Sequence, residues 1–269
     1  MKQSIAVFDS GMGGVSVLNE IHKLMPAEDI IYFADSGYCP YGPRPLEIVR
    51  KRVHSITDFL LEQGAKAIVI ACNAACTAAL DTSRQRYPRL PIIGIEPAIK
   101  PAVEVTTNKK IGILSTELTL SGNRIANLIK KFGSGVQFFK MPAPDLVTLV
   151  ERGLLSGEET DAALRKYLTP LFDAGIDTLT LSCTHFPFLI PAIEKIAFGR
   201  KITIIDNGPA VARQTRRLLT EKKLLNDKTH SGRVKFFTTG DSEAVTRVLA
   251  SLWHHPVASI CEVTIPIPE

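Results

Sequence analysis

Ile68-Val69-Ile70-Ala71-Cys72-Asn73 and Leu179-Thr180-Leu181-Ser182-Cys183-Thr184-His185 decide how this chain folds. Each is an apolar run of strand length that ends on a thiol and a small polar cluster. Continuous apolar runs bounded by turns suit strands buried on both faces, as in parallel sheets. Open α/β sheets bind their ligands outside the carboxyl ends of the strands. Two similar strand ends, each offering one thiol, can therefore face one ligand from opposite sides.

Outward from these runs, Ile5-Ala6-Val7-Phe8, Ile30-Ile31-Tyr32-Phe33 and Ile92-Ile93-Gly94-Ile95 read as further strands. Apolar residues at helical spacing predict helices over Val15 to Leu24 and Leu46 to Gln63. A second set follows, with strands at Lys110 to Leu114, Val136 to Phe139, Thr178 to Leu181 and Ile202 to Ile205. Helical patterns at Gly122 to Phe132, Asp145 to Glu151, Glu158 to Ala174 and Pro187 to Ile196 separate them. The alternation is that of two α/β units.

Pro97 after Glu96 punctuates the end of a strand, and Asp206-Asn207-Gly208-Pro209 is a turn cluster before a helix from Ala210 to Thr220. The expected division is a first domain of residues 1–96 plus 208–269, carrying Cys72, and a second of 97–207, carrying Cys183. The last piece, with Val234-Lys235-Phe236-Phe237 and a helix around Glu243 to Leu252, is too short for a third domain. It is expected to pack back onto the first.

The 269 residues are 45% hydrophobic and 22% charged, the balance of an ordinary globular protein. No apolar stretch is long enough to span a bilayer, and Met1-Lys2-Gln3-Ser4 leads into a strand without a signal-peptide core, so a cytoplasmic location is expected. Five cysteines, odd in number and widely spread, read as free thiols rather than a disulfide framework. The net charge of +5 is modest. Basic groups such as Arg50-Lys51-Arg52, Lys109-Lys110 and Arg216-Arg217 read as solvated faces, not a nucleic-acid stripe. A small anionic substrate is compatible with that charge.

Asp9-Ser10-Gly11-Met12-Gly13-Gly14 stands between a strand and a helix, where backbone N–H groups can receive an anion. It lacks the Lys-Ser/Thr of a Walker loop and the glycine spacing of a dinucleotide fingerprint, so a carboxylate ligand suits it better than a nucleotide. Asp35-Ser36-Gly37-Tyr38-Cys39-Pro40-Tyr41-Gly42-Pro43 is a turn-rich loop after the second strand. Cys72, Cys76, Cys183 and His185 offer four metal-ligating atoms, but the paired Cys-x-x-Cys spacing of zinc sites is missing, so no metal site is expected. His22, His54, His230, His254 and His255 have no acidic or thiol partner nearby in sequence and read as surface or capping residues. There is no Gly-x-Ser-x-Gly elbow of a serine hydrolase.

With Asp9-Ser10-Gly11, Pro40-Tyr41-Gly42, Ala71-Cys72-Asn73, Gly94-Ile95-Glu96-Pro97, Val150-Glu151 and Cys183-Thr184-His185-Phe186-Pro187 in this order, the chain resembles the glutamate racemases of the aspartate/glutamate racemase superfamily. The match runs over essentially the whole chain. The resemblance implies two pseudosymmetric parallel-sheet α/β domains with the active site in the cleft between them, commonly in a homodimer. It also implies a cofactor-independent isomerase that interconverts L- and D-glutamate and supplies D-glutamate for peptidoglycan.

Inverting a stereocentre by removing its α-proton and returning one to the opposite face needs two acid/base groups, one protonated and one not. Cys72 and Cys183 suit those roles, since the thiolate is the reactive form of cysteine. By similarity, Asp9 assists Cys72, and Glu151 and His185 assist Cys183. The same carry-over lines the glutamate site with Asp9, Ser10, Tyr41, Gly42, Asn73, Ala74, Thr184 and His185, with Tyr41-Gly42 against the side-chain carboxylate. Three positions depart from the family pattern: Ala74 replaces the usual Thr, Ser182 a common Gly, and Cys76 a frequent Ser. Cys39 is a further thiol beside the substrate loop, expected to be open to oxidation. Ala74 motivates two alternatives: a racemase of aspartate or another polar amino acid, and a binding or regulatory homologue with weakened catalysis.

Overall fold

A computed structural model describes residues 3–226, 231–257 and 259–266. His230 lies outside the described residues. In chain order the elements begin with β1 (Ser4–Asp9), α1 (Val15–Leu24), β2 (Ile30–Ala34), α2 (Leu46–Glu62), β3 (Ala65–Ile70), α3 (Asn73–Arg86), β4 (Ile92–Gly94) and α4 (Ile99–Val105). They continue with β5 (Lys110–Ser115), α5 (Glu117–Ser121), α6 (Asn123–Phe132), β6 (Gln137–Pro142), α7 (Pro144–Glu151), α8 (Glu158–Asp173), β7 (Thr178–Ser182) and α9 (Ile190–Ile196). The chain closes with β8 (Thr203–Ile205), α10 (Gly208–Glu221), β9 (Val234–Thr238), α11 (Ser242–Leu252) and β10 (Ile260–Glu262).

Two sheets result, one ordered β10-β9-β2-β1-β3-β4 and the other β6-β5-β7-β8, and every pairing is parallel. β1 sits between β2 and β3, with Ile5 opposite Ile30 on one side and Ala67 on the other, so its apolar run is fully buried. The β2-β1-β3-β4 portion repeats as β6-β5-β7-β8, and this common order makes the two units pseudosymmetric. β3 and β7 hold the same place in their sheets, which puts Cys72 and Cys183 at corresponding carboxyl ends.

β9 pairs with β2, with Val234 opposite Ile30, so the final piece of chain extends the first sheet. α10 packs on α1, returning the chain from the second sheet to the first. One apolar cluster runs through both units, and a smaller one of Ile99, Ala102, Ile111, Ile113 and Ile125 covers the far face of the second sheet.

The helix expected from Pro187 to Ile196 is broken in two. A 3-10 turn spans Phe186–Leu189 and α9 starts afresh at Ile190. Pro191 stands in the first turn of α9, where a missing backbone N–H is tolerated because that donor has no intrahelical partner. The short elements α4, α5 and β10 carry too few residues for periodicity to reveal them.

Arg52 overturns the solvated reading of Arg50-Lys51-Arg52. Its side chain is fully buried, bonded through two nitrogens to the Asp35 carboxylate and through Nη1 to the Ile265 carbonyl, with the Tyr38 ring stacked 3.9 Å from its guanidinium carbon. A planar fork that satisfies a carboxylate bidentately keeps its donors paired on burial. Asp35 also accepts from Tyr41 Oη and Thr239 Oγ1. The turn-rich loop is thus anchored at its base by a buried ion pair.

Candidate active site

The carboxyl ends of β1, β3, β5 and β7 converge on a narrow cavity of about 20 Å³. It is lined by Cys72, Asn73 and Ala74 after β3, by Cys183, Thr184 and His185 after β7, and by Ser10, Tyr41 and Gly42 from the loops of the first unit. Pro40, Thr116 and Val147 complete the lining. Pro40 belongs to the quoted Pro40-Tyr41-Gly42 motif, but the motifs missed Thr116 and Val147. Thr116 follows β5, so strand-end position is a signal for it, whereas Val147 is one apolar residue of α7 and carries none.

Cys72 caps α3. The Ala75 N–H points at its sulfur at 3.5 Å, and its thiol donates to Ser10 Oγ at 3.6 Å. Burial and the neighbouring Asp9 charge push the thiol well above its ordinary range, against the pull of those two contacts. Both effects favour the protonated thiol. Asp9 is also buried and has its carboxyl pushed up by burial, with His185 opposing and Glu151 adding to the rise. Its oxygens accept from the Gly14 N–H at 2.9 Å and from Thr184 Oγ1 at 3.3 Å, a bond between the two units. Asp9 acts on Cys72 through charge, since its hydrogen bonds go elsewhere.

Cys183 lies 3.6 Å from His185 Nδ1, and His185 Nε2 meets Glu151 Oε1 at 2.6 Å. Burial works against the imidazolium, but the contacts with Cys183, Cys39 and Glu151 outweigh it and hold His185 well above its usual value. Glu151 answers in the opposite direction: burial raises it, yet His185, the Met12 N–H and Cys39 bring it below the ordinary carboxylate range. The result is an imidazolium–carboxylate pair, His185 buried and Glu151 half-buried, aimed at one thiol.

The glycine-rich turn spends two of its backbone donors inside the protein. The Met12 N–H donates to Glu151 Oε1 at 2.7 Å and the Gly14 N–H is taken by Asp9, so the protein's own carboxylates fill the cradle. Glycine is required here for closeness. A Cβ on Gly11 would stand 2.1 Å from Glu151 Oε1, and one on Gly13 would stand 2.4 Å from His185 Nδ1. Gly13→Ala is expected to displace the imidazole, lowering turnover sharply while costing about 1–3 kcal/mol of stability as overpacking does. Paired thermal-melt and rate measurements on the variant check this.

Other expected residues divide by what they touch. Asn73 is buried in the cavity wall, and neither end of its amide has a partner among the described residues. A buried amide left unpaired costs about 1–3 kcal/mol, so the site is built to receive a polar ligand. Tyr41 lines the cavity, but its hydroxyl is committed to Asp35, leaving its ring and the adjoining backbone to meet a ligand. His185 has both ring nitrogens engaged by Cys183 and Glu151. Cys76 turns away: its thiol donates to the Ile70 carbonyl at 3.3 Å, and burial pushes it up to about 12, which removes it from the four-ligand set read in the sequence. Nothing in the structure explains Ser182, whose buried hydroxyl has no partner among the described residues.

Cys39 corrects one expectation. It touches Glu151 and His185 rather than lining the cavity. Burial first, then the Glu151 charge, pushes its thiol up to about 12, so it is held protonated and is not the oxidation-prone group expected of it.

A family profile described as Asp/Glu/Hydantoin racemase matches residues 5–215. The glutamate racemase of Pseudomonas aeruginosa is 44% identical over 253 residues, covering 94% of this chain and 95% of that protein. Among solved structures, a glutamate racemase isoform from Bacillus anthracis superposes with a TM-score of 0.89 at 33% identity, covering 100% of both chains. Escherichia coli glutamate racemase, in complex with L-glutamate and the activator UDP-MurNAc-ala, superposes with a TM-score of 0.87 at 29% identity, covering 99% of this chain and 100% of that one.

Proposed function

Because the chain belongs to the Asp/Glu/hydantoin racemase family, we propose that it interconverts L- and D-glutamate by proton transfer between Cys72 and Cys183. The observation that carries this reading is the pair of thiols lining one cavity from corresponding strand ends of two sheets. In one direction Cys183, set against the His185 imidazolium, takes the α-proton while protonated Cys72 supplies one to the other face; the reverse reaction exchanges the roles. Asn73, Thr184, Ser10 and backbone groups around Tyr41-Gly42 hold the substrate's charged ends, and these preorganised donors stabilise the developing carbanion. No pyridoxal or metal is needed in this scheme.

The cavity holds little more than one water. Glutamate therefore enters by a hinge opening of the two units, divided as 1–96 plus 208–269 and 97–207. We also propose a cytoplasmic homodimer that supplies D-glutamate for peptidoglycan; no helix among the described residues is long and apolar enough to cross a membrane.

Incubation with L-glutamate in deuterated water, without pyridoxal phosphate, tests the reaction. D-glutamate carrying α-deuterium is expected, and an absence of exchange with any acidic amino acid overturns the reading. Ala74 lines the cavity without a hydroxyl, which favours testing aspartate in the same assay. Ala74→Thr restores a donor next to Asn73, and a gained hydrogen bond of about 0.5–1.5 kcal/mol predicts a roughly 2- to 10-fold fall in KM for glutamate. Steady-state kinetics on both substrates reads the change.

A further inference from the structure

Among the described residues, one group of side chains has metal-ligand geometry: Cys39, Glu151 and His185, whose donor atoms all lie within 4.8 Å of one another. We propose that these three residues form an inhibitory site for a soft divalent cation, Zn²⁺ above all, that shuts down the proposed racemase by capturing the partners of Cys183.

The donor set is the first argument. One thiol, one imidazole and one carboxylate suit zinc, and three protein ligands with a fourth position open to water form a common zinc arrangement. The hard cations magnesium and calcium prefer all-oxygen shells and do not compete for it. Reach is the second. Zinc bonds of about 2.0–2.3 Å place tetrahedral donors about 3.2–3.7 Å apart. The Cys39 sulfur, within 4.8 Å of the other two donors, needs to close by at most about 1 Å, while the Nε2–Oε1 pair at 2.6 Å must spread by roughly 0.7 Å to admit a cation. Gly11 lets these donors crowd together against the turn, since a Cβ there would stand 2.1 Å from Glu151 Oε1 and 2.9 Å from the Cys39 sulfur.

The exchange is redox-neutral. Zinc bonds form to Cys39 Sγ, His185 Nε2 and a Glu151 oxygen; the thiol proton and the Nε2 proton leave to solvent; no electron moves. A coordinated thiol is deprotonated outright, so the protonated resting state of Cys39 is no barrier. Once ligated, His185 is fixed and its Nε2 no longer bonds Glu151. The effect on catalysis rests on the racemase reading, whereas the binding does not.

Cobalt(II) alone, titrated into the substrate-free protein, reports a thiolate ligand through a sulfur-to-cobalt charge-transfer band. One equivalent with such a band, displaced by Zn²⁺, is expected for the wild type. Cys39→Ser exchanges the soft ligand for a hydroxyl, keeps the side-chain size and is expected to lose the band and to bind cobalt at least about 10-fold more weakly, since losing a direct ligand costs no less than losing the partner of one. In parallel, micromolar Zn²⁺ should inhibit wild-type racemisation reversibly to EDTA, with the half-inhibitory concentration of C39S raised by a similar factor relative to its own metal-free rate. An equal band and equal zinc sensitivity in C39S place the metal on other thiols and overturn the proposal, as does a wild type without binding. A wild type that binds cobalt through Cys39 but racemises no glutamate leaves the site standing and removes the proposed function instead.

Discussion

Cys72→Ala and Cys183→Ala are each expected to abolish net interconversion of the glutamate enantiomers. Loss of a positioned general acid or base typically costs about 10²–10⁴-fold, and here each thiol serves as acid in one direction and base in the other. The enantiomers have equal free energy in water, so kcat/KM must stay equal in the two directions, and neither variant can remain active in just one. The difference between the variants lies in isotope exchange. With one thiol left, a proton can be removed from one enantiomer and returned to the same face, so each variant should wash α-deuterium into a different enantiomer with retention of configuration. Chiral chromatography with mass detection separates the outcomes. Full activity in either variant sinks the two-thiol scheme, and unchanged melting temperatures show that the fold is not the cause of the loss.

Glu151→Gln is the second large effect. Glu151 is the half-buried counterion of the fully buried His185 imidazolium and lies 2.6 Å from it. Removing one partner of such a pair costs about 3–5 kcal/mol, because the other charge is left buried without compensation. The sign in pH follows from the shifts. His185 is raised in the folded protein, so its contribution to stability is fully present below the unfolded value of 6.5 and is lost as pH rises through the folded value. Glu151 is lowered, so its contribution is present above 4.5 and is lost as pH falls through its folded value. The stability difference between wild type and Glu151→Gln should therefore be largest between about pH 4.5 and 6.5 and shrink on either side. Without the carboxylate His185 loses its proton at lower pH, so the alkaline limb of the rate profile should move down while turnover falls. A variant with the wild-type profile shows that the pair does not act on Cys183.

Much of the architecture was legible because it is written in local pattern. Apolar runs at residues 68–71 and 179–182 mark buried parallel strands, and β3 and β7 occupy those places. The helix predicted for Leu46 to Gln63 appears as α2, Leu46–Glu62. Where the chain breaks its own pattern the reading failed: Pro191 divides one helical stretch, and α4 and α5 are shorter than the window over which periodicity can be recognised. Family motifs brought the cavity residues into view, but not the packing between motifs.

The sequence by itself determined a doubled α/β chain with one thiol at the end of each key strand, since side-chain period and strand-end chemistry belong to neighbouring residues. The tertiary structure alone decided what those thiols stand against. Met12 meets Glu151 across 139 positions and Asp9 meets Thr184 across 175, and no local spacing encodes such contacts. Long-range burial strips water from carboxylates, imidazole and thiols, so that each takes the nearest charge or N–H as its partner. That is why the glycine turn holds Glu151, why Arg52 lies inside the protein, and why Cys39 joins the His185–Glu151 pair.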